Sequence, residues 1–218
     1  MSRRGHDRRN PSPPAVSPEE AARHAQKKAR IKQARDRMMT EKTGEKGLVI
    51  VHTGPGKGKS SAAFGMIFRM IAHDMPCAVV QFIKGARQTG ERALIQRHFA
   101  HLCQFHTMGE GFTWETQDKA RDIAAARAAW DKGKALIRDP AIRMVLLDEI
   151  NIALRYGYLD PTEVAAFLQG EKPQMTHVVL TGRNAPPELL EIADLATEMA
   201  LVRHPFRDGI KAQPGVEF

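Results

Sequence analysis

A chain of 218 residues with 42% hydrophobic content is long enough for one α/β domain with a core of its own, plus an appendage. No apolar run approaches the roughly 18 residues of a membrane span, and the N-terminal arginines have no apolar stretch behind them to make a signal peptide. A cytoplasmic protein with no membrane partner is therefore expected. The net charge of +8 suggests an anionic partner, but charge alone cannot choose between a polyphosphate, a carboxylate-bearing substrate and a nucleic acid.

Much of the basic excess lies in residues 1–46 (Arg3, Arg4, Arg8, Arg9, Arg23, Lys27, Lys28, Arg30, Lys32, Arg35, Arg37), a segment distinct from the domain expected over 47–218. Residues 1–17 are rich in Arg, Ser and Pro and poor in large apolar side chains, so disorder is expected there. Ser17-Pro18-Glu19-Glu20 supplies an N-cap, a proline at the first helical position and acids in the first turn, which predicts a helix over 17–39. Its apolar stripe is thin (Ala21, Ala22, Ala25, Ala29, Ile31, Met38), so the helix should lie on a surface rather than inside a core.

Beyond Gly44 strand-like and helix-like segments alternate, the pattern of an α/β fold with a mostly parallel central sheet and helices on both faces. Strands are predicted at Leu48–His52, Ala78–Ile83, Leu102–Phe105, Met144–Leu147 and Val178–Thr181. Helices are predicted at Ser61–His73, Thr116–Arg138, where Asp139-Pro140 ends the run, and Pro161–Gln169, which opens on the cap Asp160 and stops at Gly170. Cys77 and Cys103 lie in apolar runs without ligand spacing and read as buried reduced thiols, with neither a disulfide nor a zinc site.

Thr53-Gly54-Pro55-Gly56-Lys57-Gly58-Lys59-Ser60-Ser61 follows a predicted strand and opens a predicted helix, the setting in which a Gly-rich Lys-Ser sequence becomes a phosphate loop. Gly54, Gly56 and Gly58 permit positive φ, so successive N–H groups can turn inward as an anion nest. Lys59 adds a charge that reaches phosphate oxygens, and the Ser60 hydroxyl is placed to ligate Mg²⁺, with Mn²⁺ as a substitute. The first glycine comes one residue later than usual, at Gly54 instead of position 53. Met144-Val145-Leu146-Leu147-Asp148-Glu149 is an apolar strand ending in two carboxylates, as a phosphate-bound Mg²⁺ requires; the sequence does not decide between Asp148 and Glu149. These features establish Mg-nucleotide binding and leave the reaction open.

Several further segments make the resemblance specific. Gly54–Ser61 followed by Ala62-Ala63-Phe64-Gly65, then Gln81-Phe82-Ile83-Lys84-Gly85 and Gly109-Glu110-Gly111-Phe112-Thr113-Trp114, resemble the P-loop family of ATP:corrinoid adenosyltransferases. Leu147-Asp148-Glu149-Ile150-Asn151, Leu180-Thr181-Gly182-Arg183, Asp194 to Met199 and His204-Pro205-Phe206-Arg207-Asp208 to Phe218 are similar to that family in the same order. The likeness runs from about Gly47 to the last residue, and the late first glycine is the family's own form of the loop.

The resemblance implies a RecA-like P-loop fold and a step of adenosylcobalamin biosynthesis: cobalt(I) of a reduced corrinoid attacks the 5′ carbon of ATP and expels triphosphate. A corrin cobalt(I) is already a strong nucleophile, so no activated serine, cysteine or general base is needed, and no triad is evident. The phosphate loop then serves the leaving group, with the ATP reversed relative to ordinary P-loop enzymes. By the same resemblance Phe112 and Trp114 belong to a loop that closes over the corrinoid and removes the lower axial ligand of cobalt(II), easing its reduction. An electron donor such as a flavodoxin or a flavin reductase is implied. So is a homodimer in which the helix over 17–39 crosses the partner's active site. Lys84, Arg87, Arg183, Arg207 and Lys211 are candidates for touching triphosphate or corrinoid; His52 reads as structural, and the remaining histidines lack metal spacing. Two rivals stand beside this reading. A phosphoryl-transfer P-loop enzyme would release ADP. A RecA-like nucleic-acid module is disfavoured, because the basic excess lies in the tail and no aromatic-basic stacking strip accompanies it.

Overall fold

The computed structural model describes residues 16–83, 89–108 and 118–217. The expected disorder of the tail through residue 15, and the candidates Lys84, Arg87, Phe112 and Trp114, lie outside the described residues. The chain divides into two compact units, one up to Gly44 and one from Glu45 onward.

The first unit contains helix α1 (Pro18–Thr40), every residue of which is exposed. It opens on a reciprocal cap. The Glu20 N–H donates to Ser17 Oγ at 3.2 Å, and the Ser17 N–H donates to the Glu20 carboxylate at 3.3 Å, satisfying two of the helix's orphan donors.

In the second unit the chain runs β1 (Val49–Thr53), α2 (Lys59–Ala72), β2 (Cys77–Gln81), α3 (Gly90–His98), β3 (Cys103–Thr107), α4 (Lys119–Arg138), β4 (Met144–Asp148), α5 (Ile150–Arg155), α6 (Pro161–Gly170), β5 (His177–Thr181), α7 (Pro187–Ile192) and β6 (Leu195–Glu198), then a 3₁₀ turn at Pro205–Asp208. The sheet order is β3-β2-β4-β5-β1-β6 and every pairing is parallel. The five predicted strands and the three predicted helices of this unit are present with ends shifted by a few residues. The strand β6 and the short helices α3, α5 and α7 were not anticipated.

Parallel strands covered on both faces must bury consecutive residues on opposite sides, and these do. Val49, Val51, Ala78, Val80, Val145, Leu147, Val178 and Leu180 join Trp130 and Ile137 of α4 and Val164 and Phe167 of α6 in one core layer. Ile50, Cys77, Val79, Met144, Leu146 and Val179 face the other way, onto Phe64, Ile67 and Ile71 of α2. The two cysteines are free, buried and opposite each other in the β2–β3 register. All of β6 is exposed at the sheet edge.

This topology gathers every strand's carboxyl end along one rim. The register aligns His52 with Thr181, and Gln81 with both Asp148 and Thr107, while the β4–β5 pairing through Leu147 and Leu180 brings Asp148 beside Thr181. A polar row thus runs along the ends of five strands, four of them apolar, on the side where ligands bind in open α/β sheets.

Candidate active site

The phosphate loop connects β1 to α2 along this rim. Gly58 caps α2 with φ 104°, a conformation that favours glycine. Gly54 and Gly56 are required for a second reason. A Cβ on Gly56 would lie 2.5 Å from the Ala200 carbonyl oxygen, and one on Gly54 would lie 2.6 Å from that of Met199. The Gly56 N–H also donates to the Met199 carbonyl at 2.6 Å. The first half of the loop is thus braced by the chain leaving β6, which accounts for glycines there beyond their use as an anion nest.

Lys59 begins α2 and is only 7% exposed. Its ammonium donates to the Gly54 carbonyl at 2.9 Å and to that of Gly56, leaving one of three protons for a ligand. Burial lowers its pKa, opposed by the carboxylate of Glu149 and reinforced by Arg183 and Lys57. His52 is buried, its Nδ1 3.2 Å from the Lys59 carbonyl oxygen, which ties β1 to the start of α2 as a structural residue does.

The acidic pair closes the opposite wall. Asp148, 2% exposed, accepts from the Thr181 hydroxyl at 2.8 Å through Oδ1 and from the Gln81 amide at 3.2 Å through Oδ2. Glu149 follows with φ 63°, unusual for a residue with a side chain, and its N–H donates to Thr181 Oγ1 at 2.9 Å. Burial, with Asp148 adding to it, raises the Glu149 carboxyl pKa to about 7 against the pull of Lys59 and Arg183. Glu149 Oε2 is buried with no hydrogen-bond partner, as is Asn151 Oδ1, whose amide nitrogen donates to the Gly182 carbonyl at 3.1 Å. Gly182 takes φ 131°, and a Cβ there would lie 2.8 Å from that of Asn151. This close approach delivers Arg183 to the cleft.

Between the two walls lies a cleft of about 410 Å³. Its charged lining is Lys57, Lys59 and Arg183 against Glu91, Asp148, Glu149 and Glu217, with Ser60 and Ser61 alongside. Phe64, Ile83, Ile152 and Val216 add an apolar wall. Carboxylates match or outnumber cations here, so a bare triphosphate would meet a poorly compensated field; a divalent cation resolves that, and the donors on offer are hard oxygens suited to Mg²⁺. The orphaned Glu149 oxygen fits the same group. Among the described residues no three His, Cys, Asp or Glu side chains form a protein-only metal cage.

A buried loop lysine facing two carboxylates at the end of β4, two strands away from β1 in the sheet, defines a nucleotide cleft, and the family match defines its chemistry. Residues 45–218 match the family model described as ATP:corrinoid adenosyltransferase BtuR/CobO/CobP. The chain belongs to this family. It is 68% identical over 204 residues to a corrinoid adenosyltransferase of Sinorhizobium sp, covering 94% of this chain and 95% of that one. The corrinoid adenosyltransferases of Pseudomonas aeruginosa and Escherichia coli K12 are 52% and 40% identical, over 93% and 90% of this chain and 98% of each relative. The resemblance inferred from the sequence is therefore correct, and the α/β fold expected from the alternation of strand-like and helix-like segments is the one observed.

Of the residues singled out from the sequence, Gly56, Lys57, Gly58, Lys59, Ser60, Ser61, Asp148, Glu149 and Arg183 meet in this cleft. Gly54 is turned toward Met199, and Pro55 is exposed and does not line the cleft. Arg207 and Lys211 are exposed and outside the lining. Sequence reasoning assigned no role to Gln81, Thr181, Phe64 or Glu217. Glu217, far down the chain, forms an ion pair with Lys57. Gln81 and Thr181 carried one legible signal: each is a polar residue ending an apolar strand.

Proposed function

We propose that this cleft holds the triphosphate of Mg-ATP so that cobalt(I) of a reduced corrinoid can displace it from the 5′ carbon. The coarser activity, ATP-dependent adenosylation of a corrinoid, follows from family membership. The observation that carries the finer reading is the meeting of Lys59 and Ser60 with Asp148 and Glu149 across one cleft.

In this reading the loop N–H groups and the remaining Lys59 proton bind the triphosphate, and Arg183 adds a planar donor set. Ser60, Asp148 and Glu149 would hold Mg²⁺, or Mn²⁺ in its place, whose charge stabilises the departing triphosphate. The carbon–cobalt bond forms as the carbon–oxygen bond breaks, the cobalt supplying the electron pair and triphosphate leaving with the other. No proton moves, so the step calls for no general acid or base at the reacting atoms. The chain's own contribution is orientation, charge neutralisation and exclusion of water.

Further proposals accompany this one. Lys84 belongs to the nucleotide site, and Phe112 and Trp114 to a loop that shields the corrinoid and displaces its lower ligand. The active form is a homodimer with α1 serving the partner's site, located in the cytoplasm and supplied with electrons by a flavodoxin or a flavin reductase. Nucleic acid is not a substrate.

The test is anaerobic incubation with ATP, Mg²⁺ and chemically reduced corrinoids, following loss of cobalt(I) absorbance and release of triphosphate. Corrinoid-dependent release of intact triphosphate is expected. Lys59→Ala should lower kcat by at least about a hundredfold, the scale of losing a principal charge-stabilising donor. Corrinoid-independent ADP release would instead establish phosphoryl transfer.

A further inference from the structure

Resting on the reading of the cleft given above, we propose that Thr181 is a positioning residue for the reaction, whose single hydroxyl sets both carboxylates that serve the Mg-triphosphate.

Thr181 is completely buried and ends the apolar run Val178-Val179-Leu180 of β5. A valine would fill the same volume without the cost of burying a hydroxyl, so the hydroxyl must find compensation. It does so twice. Oγ1 donates to Asp148 Oδ1 at 2.8 Å and accepts the Glu149 N–H at 2.9 Å, so one atom reaches both members of the acidic pair.

The two bonds act differently. With Oδ1 held by Thr181 and Oδ2 by Gln81, the Asp148 carboxylate cannot turn about its own axis. The bond to Glu149 pins the peptide of a residue held at φ 63°, and so fixes the direction in which that side chain leaves the strand end. The Glu149 oxygen that results is buried and without a protein partner. Thr181 itself is not among the residues lining the cleft, so it acts through the pair and not on substrate. The β1 neighbour in register is His52, whose ring reaches the Lys59 carbonyl, so the row extends from the acidic pair to the start of α2.

The full-length protein is tested as Thr181→Val, Thr181→Ser and Asp148→Asn. Two quantities are read: Mn²⁺ affinity in the ATP complex without corrinoid, by electron paramagnetic resonance, and kcat with pre-reduced corrinoid at varied Mg²⁺. Thr181→Val should weaken Mn²⁺ binding about tenfold and lower kcat about tenfold, the scale on which partners of metal ligands act. Thr181→Ser, which keeps the hydroxyl, should restore both to within about twofold of the parent on the same scale. Unchanged Mn²⁺ affinity in folded Thr181→Val overturns the proposal. So does a serine variant as impaired as the valine one, which would assign the loss to packing. If Thr181→Val does not fold, Thr181→Ala is read by the same criteria. Asp148→Asn separates the two levels: if it leaves metal affinity and rate intact, the reading of the cleft falls; if it impairs both while Thr181→Val does not, only the role of Thr181 falls.

Discussion

Gly56→Ala probes the brace behind the phosphate loop. The new methyl carbon would sit 2.5 Å from the Ala200 oxygen and 2.6 Å from that of Met199, both backbone atoms with no rotamer to yield. A carbon and an oxygen settle near 3.2 Å, so the loop and the β6 exit must separate by about 0.7 Å, an overpacking that costs about 1–3 kcal/mol. The Gly56 N–H bond to Met199 is lost or lengthened as well, worth about 1 kcal/mol. A loss of about 3 kcal/mol in a unit of this size lowers Tm by about 6–12 °C. The KM for ATP should rise at least about tenfold, because the displaced loop no longer presents its N–H groups together. Gly65→Ala is the matched control. It lies inside α2 with nothing within 4 Å of the added carbon, so it should gain up to about 1 kcal/mol of helix propensity. Differential scanning calorimetry and initial rates against ATP decide the matter. A Gly56→Ala protein with the parent's Tm and KM would refute the bracing argument.

Two further outcomes are expected. The Glu149 carboxyl titrates near 7 in the fold against an ordinary value of 4.5. Across that window the native state binds more protons than the unfolded chain, so without ligand stability is highest below about pH 4.5 in this respect and falls until about pH 7. At about 1.4 kcal/mol per pH unit over that window the loss is at most about 3–4 kcal/mol, and Glu149→Gln should flatten it in urea titrations taken at several pH values. Lys172 donates to the carbonyls of Gly47, Pro173 and Thr176 at 2.8, 3.1 and 3.0 Å, at the amino end of β1 and β5. Lys172→Met should cost about 2 kcal/mol by taking the ammonium from the Gly47 and Thr176 carbonyls, while that of Pro173 keeps the Thr176 N–H, seen as a lower Tm, with kcat and KM unchanged because the cleft lies at the other end of the strands.

What the sequence reveals of this molecule is what lies close together along it. The phosphate loop is nine consecutive residues, 53–61, between a strand and a helix, and the acidic pair ends an apolar run, so both can be read locally. The partners of Asp148 cannot, because Gln81 and Thr181 reach it only through the β2–β4–β5 register. Strand β6 has four exposed residues and no apolar run, so neither periodicity nor burial betrays it. Helices α5 and α7, of six residues each, are too short for a 3.6-residue period to show. Gly54 and Gly56 were read as phosphate-nest glycines, and their approach to residues 199 and 200 adds a cause that only the folded chain contains.

That approach also sets an order of events during synthesis. The loop's front half is moulded against residues about 145 positions further along, made after every other strand of the sheet has been synthesised. A nascent chain that has formed β1 and α2 therefore holds the loop residues without the contacts that brace them. The braced form of the loop arrives only with the last strand, so a chain cut before residue 199 should lack it.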